Sequence, residues 1–187
     1  MTMALSRRPG LLGIALGLPL IIAAVAWHGF YGRWRIPQDG MYPTYPADSH
    51  LVARKNPYRS AADVRRGDVV IFRQDKDGVP YDYVWRVVGL PGERIAIRAD
   101  AVFIDGRELP RRRISQADGV AILDESADDR VYRIALPIGA SDGEGAFPEL
   151  AVPNDHVFVL GDNRHHALDS RSMGPIPFGA ILARVSW

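Results

Sequence analysis

From Trp34 onward, no stretch of this chain keeps apolar residues at the three- and four-residue spacing of a helix face. Its apolar residues come in short runs closed by Gly, Pro and Asp. Val69-Val70-Ile71-Phe72 follows the turn residues Gly67-Asp68, and Tyr83-Val84-Trp85-Arg86-Val87-Val88 is closed by Gly89-Leu90-Pro91-Gly92. Ile95-Ala96-Ile97 and Ala101-Val102-Phe103-Ile104, with Asp105-Gly106 as the turn, predict a hairpin. Val131-Tyr132-Arg133-Ile134-Ala135-Leu136 alternates in part, and Val157-Phe158-Val159-Leu160 runs into Gly161-Asp162-Asn163. Many short strands with this punctuation predict a mainly β fold, a sandwich or a barrel. Gly139-Ala140-Ser141-Asp142-Gly143-Glu144-Gly145 is a flexible loop by composition.

The exception precedes Trp34. From Leu11 to Trp27 there are 17 residues without a charge. As a helix they span roughly 25 Å, and a bilayer core takes about 20 residues. Extension to Gly10 and Tyr31 reaches that length with only His28 polar inside. Arg7 and Arg8 precede the segment; Trp27, Phe30, Tyr31 and Trp34 follow it as an aromatic belt would. We read residues 11–31 as a transmembrane anchor. Ala24-Val25-Ala26 also fits the cleavage site of a signal peptide, and a buried core helix is the third reading. Gly13 and Gly17 form a small face through which a partner helix can approach; glycine is also simply common in membrane helices. Arg7 and Arg8 are balanced by Arg33 and Arg35, so charge does not set the orientation.

The length of 187 residues suits one domain plus an anchor. A net charge of +1 asks for no nucleic acid and no acidic substrate. Without cysteine there can be no disulfide, no thiolate catalysis and no Cys-based zinc site.

Three segments carry a more specific signal: Ile36-Pro37-Gln38-Asp39-Gly40-Met41-Tyr42-Pro43-Thr44, the Tyr83 to Gly92 run, and Gly161-Asp162-Asn163-Arg164-His165-His166-Ala167-Leu168-Asp169-Ser170-Arg171. Together they resemble the type I signal peptidases, an S26-type serine peptidase family. The resemblance implies a coiled, mostly antiparallel β domain over residues 32–187 with a small β insertion at about 105–152. It also implies a cytoplasmic N-terminal segment (1–10), a β domain outside the bacterial cytoplasmic membrane, and cleavage of signal peptides from exported preproteins. The matching residues are Met41, Pro43, Thr44 and Asp48 in the first segment, Arg86, Gly89, Pro91 and Gly92 in the second, and Asp162, Asn163, Arg164, Asp169, Ser170 and Arg171 in the third, followed by Gly174 and Pro177. Asp169 and Arg171 are expected to pair.

The family's reaction uses a Ser nucleophile immediately before the Met and a Lys base immediately before the Arg, where burial keeps the amine neutral. Here those positions hold Gly40 and Trp85. A supporting Ser position holds Ala167, and a position that helps bind the oxyanion holds Gln38. Gly40 has no side chain, and an indole donates a hydrogen bond but accepts no proton. With all four positions replaced, the expected protein is a catalytically inactive family member, a binding or scaffold subunit in the membrane. The alternative is an active peptidase with an unrecognised nucleophile, for which a Ser170–His166 pair is one arrangement. Ile36, Pro37 and Val84 match the lining of the groove in which the family holds an extended peptide. Trp85 either plugs that cleft or leaves a peptide bound and uncleaved. Tyr42 and Tyr45 match a surface that dips into lipid in the family, with ordinary core packing as the alternative. Arg111-Arg112-Arg113 reads as a solvated loop or a contact with anionic headgroups. Membrane lipid, an extended peptide or preprotein, and a membrane protein on the Gly13/Gly17 face are the expected partners. No cofactor and no nucleic acid is implied. His165, His166, Asp162 and Asp169 match no trusted metal spacing, so no metal site is expected.

Overall fold

The computed structural model describes residues 27–139 and 145–185. Most of the expected anchor, with Gly13, Gly17 and Ala24-Val25-Ala26, lies outside the described residues, as does most of the Gly139 to Gly145 loop. Residues 27–30 are helical, but Tyr31, which the anchor reading included, already pairs with Arg54 as a strand residue. No helix among the described residues is long and apolar enough to cross a membrane.

The strands, in chain order, are β1 (Tyr31–Ile36), β2 (Ser49–Lys55), β3 (Val69–Lys76), β4 (Val79–Gly89), β5 (Arg94–Arg98), β6 (Ala101–Ile104), β7 (Arg107–Glu108), β8 (Arg111–Ala117), β9 (Val120–Ala127), β10 (Arg130–Pro137), β11 (Phe147–Ala151), β12 (His156–Leu160), β13 (Ile176–Pro177) and β14 (Ile181–Val185). A one-turn helix, α1 (Ser170–Met173), interrupts them. The largest sheet runs β1-β2-β14-β3-β4-β12-β13; β10-β9-β8 and β11-β5-β6-β7 form two smaller ones. All ladders of the named strands are antiparallel. The fold is mainly β, as the short apolar runs predict.

Turn chemistry sets several of the hairpins. Asp77-Gly78, Asp105-Gly106 and Asp118-Gly119 all have positive φ at both residues, which suits the twist of a tight hairpin. The sequence reading placed Asp105-Gly106 at the β5–β6 turn. That turn is instead Ala99-Asp100, also at positive φ, and Asp105-Gly106 leads from β6 into β7. The misreading arose because Asp-Gly is the stronger signal and Ala99 has none. The Arg111-Arg112-Arg113 run lies in strand β8 rather than in a loop; Arg111 donates to the Asp100 carbonyl and Arg112 pairs with Asp124.

Two apolar clusters share β4 and β12. Val87, Val157 and Val159 join the cluster inside the large sheet, while Val88, Phe158 and Leu160 join Ile95, Val102, Tyr132 and Ile134 beneath the small sheets. Successive strand residues point to opposite faces, so a strand buried on both must be apolar throughout. This is why Val157-Phe158-Val159-Leu160 reads as an unbroken run. Gly89 sits opposite Phe158, and a Cβ there would lie 2.9 Å from the Phe158 Cβ. Arg66 stitches the two halves, reaching Glu93 at 2.6 Å and Asp128 at 3.1 Å.

Phe158 is fully buried and Val131 is 63% exposed. Phe158→Ala is expected to lower the free energy of unfolding by about 3–5 kcal/mol, whereas Val131→Ala stays within about 0.5 kcal/mol. Urea titration of the two variants measures the contrast.

Candidate active site: a tryptophan between the motif segments

The three motif segments meet, and a buried ion pair joins them. Arg86, on β4, grips Asp162 with both ends of its fork: Nε donates to Oδ1 at 2.7 Å and Nη2 to Oδ2 at 2.6 Å. Each side chain is 1% exposed. Thr44 Oγ1 donates to Asp162 Oδ2 at 2.5 Å, bringing in the first segment. Arg86 Nη1 also donates to the Gly67 carbonyl at 2.8 Å, and its guanidinium lies 4.2 Å from the centre of the Tyr132 ring. Burial opposes the cation; the nearby Asp162 carboxylate and its hydrogen bonds more than offset it, so the Arg86 pKa is raised.

The third segment is held by further buried charges. Arg164 pairs with Glu125 of β9 at 2.5 Å, and Tyr132 donates to the same carboxylate at 2.8 Å. Burial, then the Glu125 charge, raises the Tyr132 pKa well above its ordinary value. Asp169 caps α1 by accepting from the Arg171 backbone N–H, accepts from the Gly161 N–H at 3.0 Å, and pairs with the Arg171 guanidinium at 2.8 Å. Arg171 also donates to the Arg164 carbonyl. The Ser170 hydroxyl is buried and accepts from the Val159 N–H at 3.0 Å, outside its own turn. His166 is exposed, and no hydrogen bond joins it to Ser170 among the described residues. His165 meets Asp100 at 2.7 Å. No three His, Asp or Glu side chains among the described residues are grouped to hold a metal ion.

Within this frame, the pocket is full. A Cβ built on Gly40 would lie 2.4 Å from Trp85 Cη2 and 2.5 Å from Cζ3. The indole therefore occupies the space into which a side chain at position 40 would project. Gly40 has no positive φ, so space rather than backbone conformation demands glycine there. Gly161 is a second residue without a side chain beside the ring. A Cβ on Gly161 would come within 3.2 Å of Trp85 Cζ3 and 2.3 Å of the Ala167 Cβ. Trp85 is 1% exposed, and its Nε1 has no hydrogen-bond partner among the described residues. The Gly40 backbone is pinned opposite, its carbonyl accepting from the Asn163 N–H at 3.1 Å; Asn163 Nδ2 donates to the Asp39 carbonyl at 3.2 Å.

The remaining positions surround this pocket. Met41 is fully buried and bridges to Tyr45, which packs on the core; Tyr42 is 39% exposed. Pro43 follows a cis peptide bond. Asp48 sits at positive φ and pairs with the exposed Arg35. Gln38 and Pro37 are exposed, while Ile36 and Val84 are buried in the core. β12 pairs with β4 only at Arg86, Val87 and Gly89, so the start of β4 has β3 on one side and no named strand on the other. Sequence reasoning missed Glu125, Tyr132 and Gly67. Glu125 carried a usable sign: Ala121, Leu123, Glu125 and Ala127 alternate along β9, and an acid at an inward position requires a buried cation.

Overpacking a filled core typically costs about 1–3 kcal/mol. Gly40→Ser alone is expected to destabilise by that amount, and the cost is expected to disappear in a Trp85→Ala background. A double-mutant cycle by chemical denaturation reads the coupling; additive effects would mean that the indole is not against position 40.

A family model described as "Signal peptidase, peptidase S26" matches residues 11–187. Signal peptidase I of Bacillus caldolyticus is 29% identical over 161 residues, covering 84% of this chain and 78% of that protein. Signal peptidase I T of Bacillus subtilis strain 168 is 26% identical over 160 residues, covering 86% and 74% respectively. The crystal structure of a signal peptidase I from Enterococcus faecalis V583 aligns at 25% identity over 66% of this chain and 97% of that one, with a TM-score of 0.41, too loose an overlap for comparing sites. The match over nearly the whole length establishes that this chain belongs to the signal peptidase, peptidase S26, family.

Proposed function

We propose that this chain is a membrane-anchored, non-catalytic member of its family, acting as a binding or scaffold subunit on the extracytoplasmic side of a bacterial cytoplasmic membrane. The observation that carries the reading is the indole of Trp85 lying where a nucleophile's side chain would project from position 40. Peptide hydrolysis by this family's route needs a hydroxyl and a proton acceptor in contact. Gly40 offers neither and Trp85 only an N–H donor. The chain's two lysines, Lys55 and Lys76, lie on β2 and at the end of β3, away from position 85 in the ladder. A substitute dyad from Ser170 and His166 lacks support, since Ser170 is buried and held by the Val159 N–H.

The unpaired edge at the start of β4 favours a specific binding role. An extended peptide can add there as a further strand, with main-chain hydrogen bonds supplying affinity and no cleavage following.

Incubating the purified full chain with an exported preprotein tests the proposal. The wild type is expected to leave the preprotein intact. Loss of nucleophile or base alone in a serine protease costs on the order of 10⁶ in rate. Gly40→Ser/Trp85→Lys/Ala167→Ser is expected to restore measurable cleavage after a small residue, because the frame around the pocket is retained. Cleavage by the wild type, abolished in no contaminant control, would overturn the reading.

A further inference from the structure

The end of the large sheet formed by β1, β2 and β14 carries positive charge that the site does not use. Residues 27–65 hold six Arg or Lys against three Asp, in a chain whose net charge is only +1. The β1–β2 register pairs Tyr31 with Arg54, Arg33 with Val52 and Arg35 with His50. Paired residues share a face. Trp34, Ile36, Leu51 and Ala53 take the opposite face, into the core. Arg33, Arg35, His50, Val52 and Arg54 are accordingly exposed. β14 extends the face by setting Arg184 beside Arg54. Arg54, Arg59, Arg65 and Arg184 then line one hollow of about 540 Å³.

Little of this charge is neutralised. Arg35 pairs with Asp48, and Arg184 reaches buried Asp68 only at 3.6 Å. Arg33, Arg54 and Arg65 enter no ion pair among the described residues. The acid in the hollow, Asp63, is engaged by the backbone N–H groups of Arg59 and Ser60. A neighbouring hollow of about 500 Å³ combines Trp27, Tyr31, Arg33 and Lys55. Trp27 is 53% exposed and stacks on Tyr31 at 4.3 Å, and Phe30 is 62% exposed.

We propose that this face docks on anionic phospholipid headgroups, its arginines contacting phosphate and Trp27 and Phe30 lying at headgroup depth. Guanidinium matches phosphate geometry in a way that ammonium does not. Aromatic rings beside cations suit the boundary between headgroup and acyl chain. A nucleic acid or an acidic peptide would account for the arginines, but not for exposed aromatic residues immediately after an uncharged segment of the chain. The inference rests on the membrane-anchored reading, and it adds a headgroup preference and an orientation of the β domain.

Native mass spectrometry of the full chain in neutral detergent, with equimolar phosphatidylcholine and phosphatidylglycerol, tests it. Since one basic residue near an anionic surface contributes roughly a fivefold preference, phosphatidylglycerol is expected to be retained at least about fivefold over phosphatidylcholine, less so at high salt. Arg33→Gln/Arg54→Gln/Arg59→Gln is expected to bring the ratio near one, while Arg111→Gln/Arg112→Gln/Arg113→Gln on β8 leaves it unchanged. If the first variant fails to fold, as judged by circular dichroism, Arg59→Gln/Arg65→Gln in the loop is expected to lower the ratio severalfold. No preference in the wild type, or a preference that survives these substitutions, overturns the inference. Tight binding of a labelled oligonucleotide in place of lipid, lost in the same variant, does so too. A carbonate wash of membranes separates the two readings. A chain that stays with the pellet but shows no headgroup preference retains the anchored reading alone, and a released chain loses both.

Discussion

Arg86 and Asp162 lie 76 residues apart in sequence and share one buried, two-pronged contact. Removing one partner of such a pair leaves an unpaired buried charge at a cost of about 3–5 kcal/mol, although the intact pair need not be more stable than apolar packing. Its use here is geometric. Arg86 follows Trp85 on β4, Asp162 follows Gly161, and Thr44, bonded to the same carboxylate, stands four residues after Gly40. Clamping these charges sets the walls of the pocket against one another.

One ring fills the space between these walls. A tryptophan at position 85 fits because positions 40 and 161 carry no side chain and position 167 carries only a methyl group. Burying the ring contributes apolar stabilisation, and leaving its N–H unpaired costs about 1–3 kcal/mol. A hydroxyl at position 40 would meet carbon rather than an amine. The frame holds the three motif segments together, and on the proposed reading the ring takes the place of a proton-transferring pair.

The motif segments and the mainly β class were legible from sequence because both depend on local signals: Gly, Pro and Asp punctuation, and runs of residues at close spacing. That positions 40, 85 and 167 carry Gly, Trp and Ala is read directly from the chain. The contact between Trp85 and Gly40 was foreseeable as a change in size, but not as a direct fit, because it depends on how β4 lies against the first segment. Glu125 and Tyr132 come from strands that read as an uninformative insertion, yet they hold Arg164 and face Arg86. The β5–β6 turn was misplaced because Ala99 adopts a positive φ that its residue type does not announce. Ile36 and Val84, expected to line a groove, are mostly enclosed by the core, whereas Pro37 remains outside.

The state of the indole can be observed directly through its own N–H. With the Trp85 resonance assigned by a Trp85→Phe variant, proton–deuterium exchange of the tryptophan side chains by nitrogen-15 NMR reports whether the pocket is closed. A plugged pocket predicts that the Trp85 indole N–H, 1% exposed as a residue, persists long after that of Trp27, which is 53% exposed, has vanished. Exchange of Trp85 as fast as that of Trp27 would mean that the ring stands open to water, and the filled-pocket account would be contradicted.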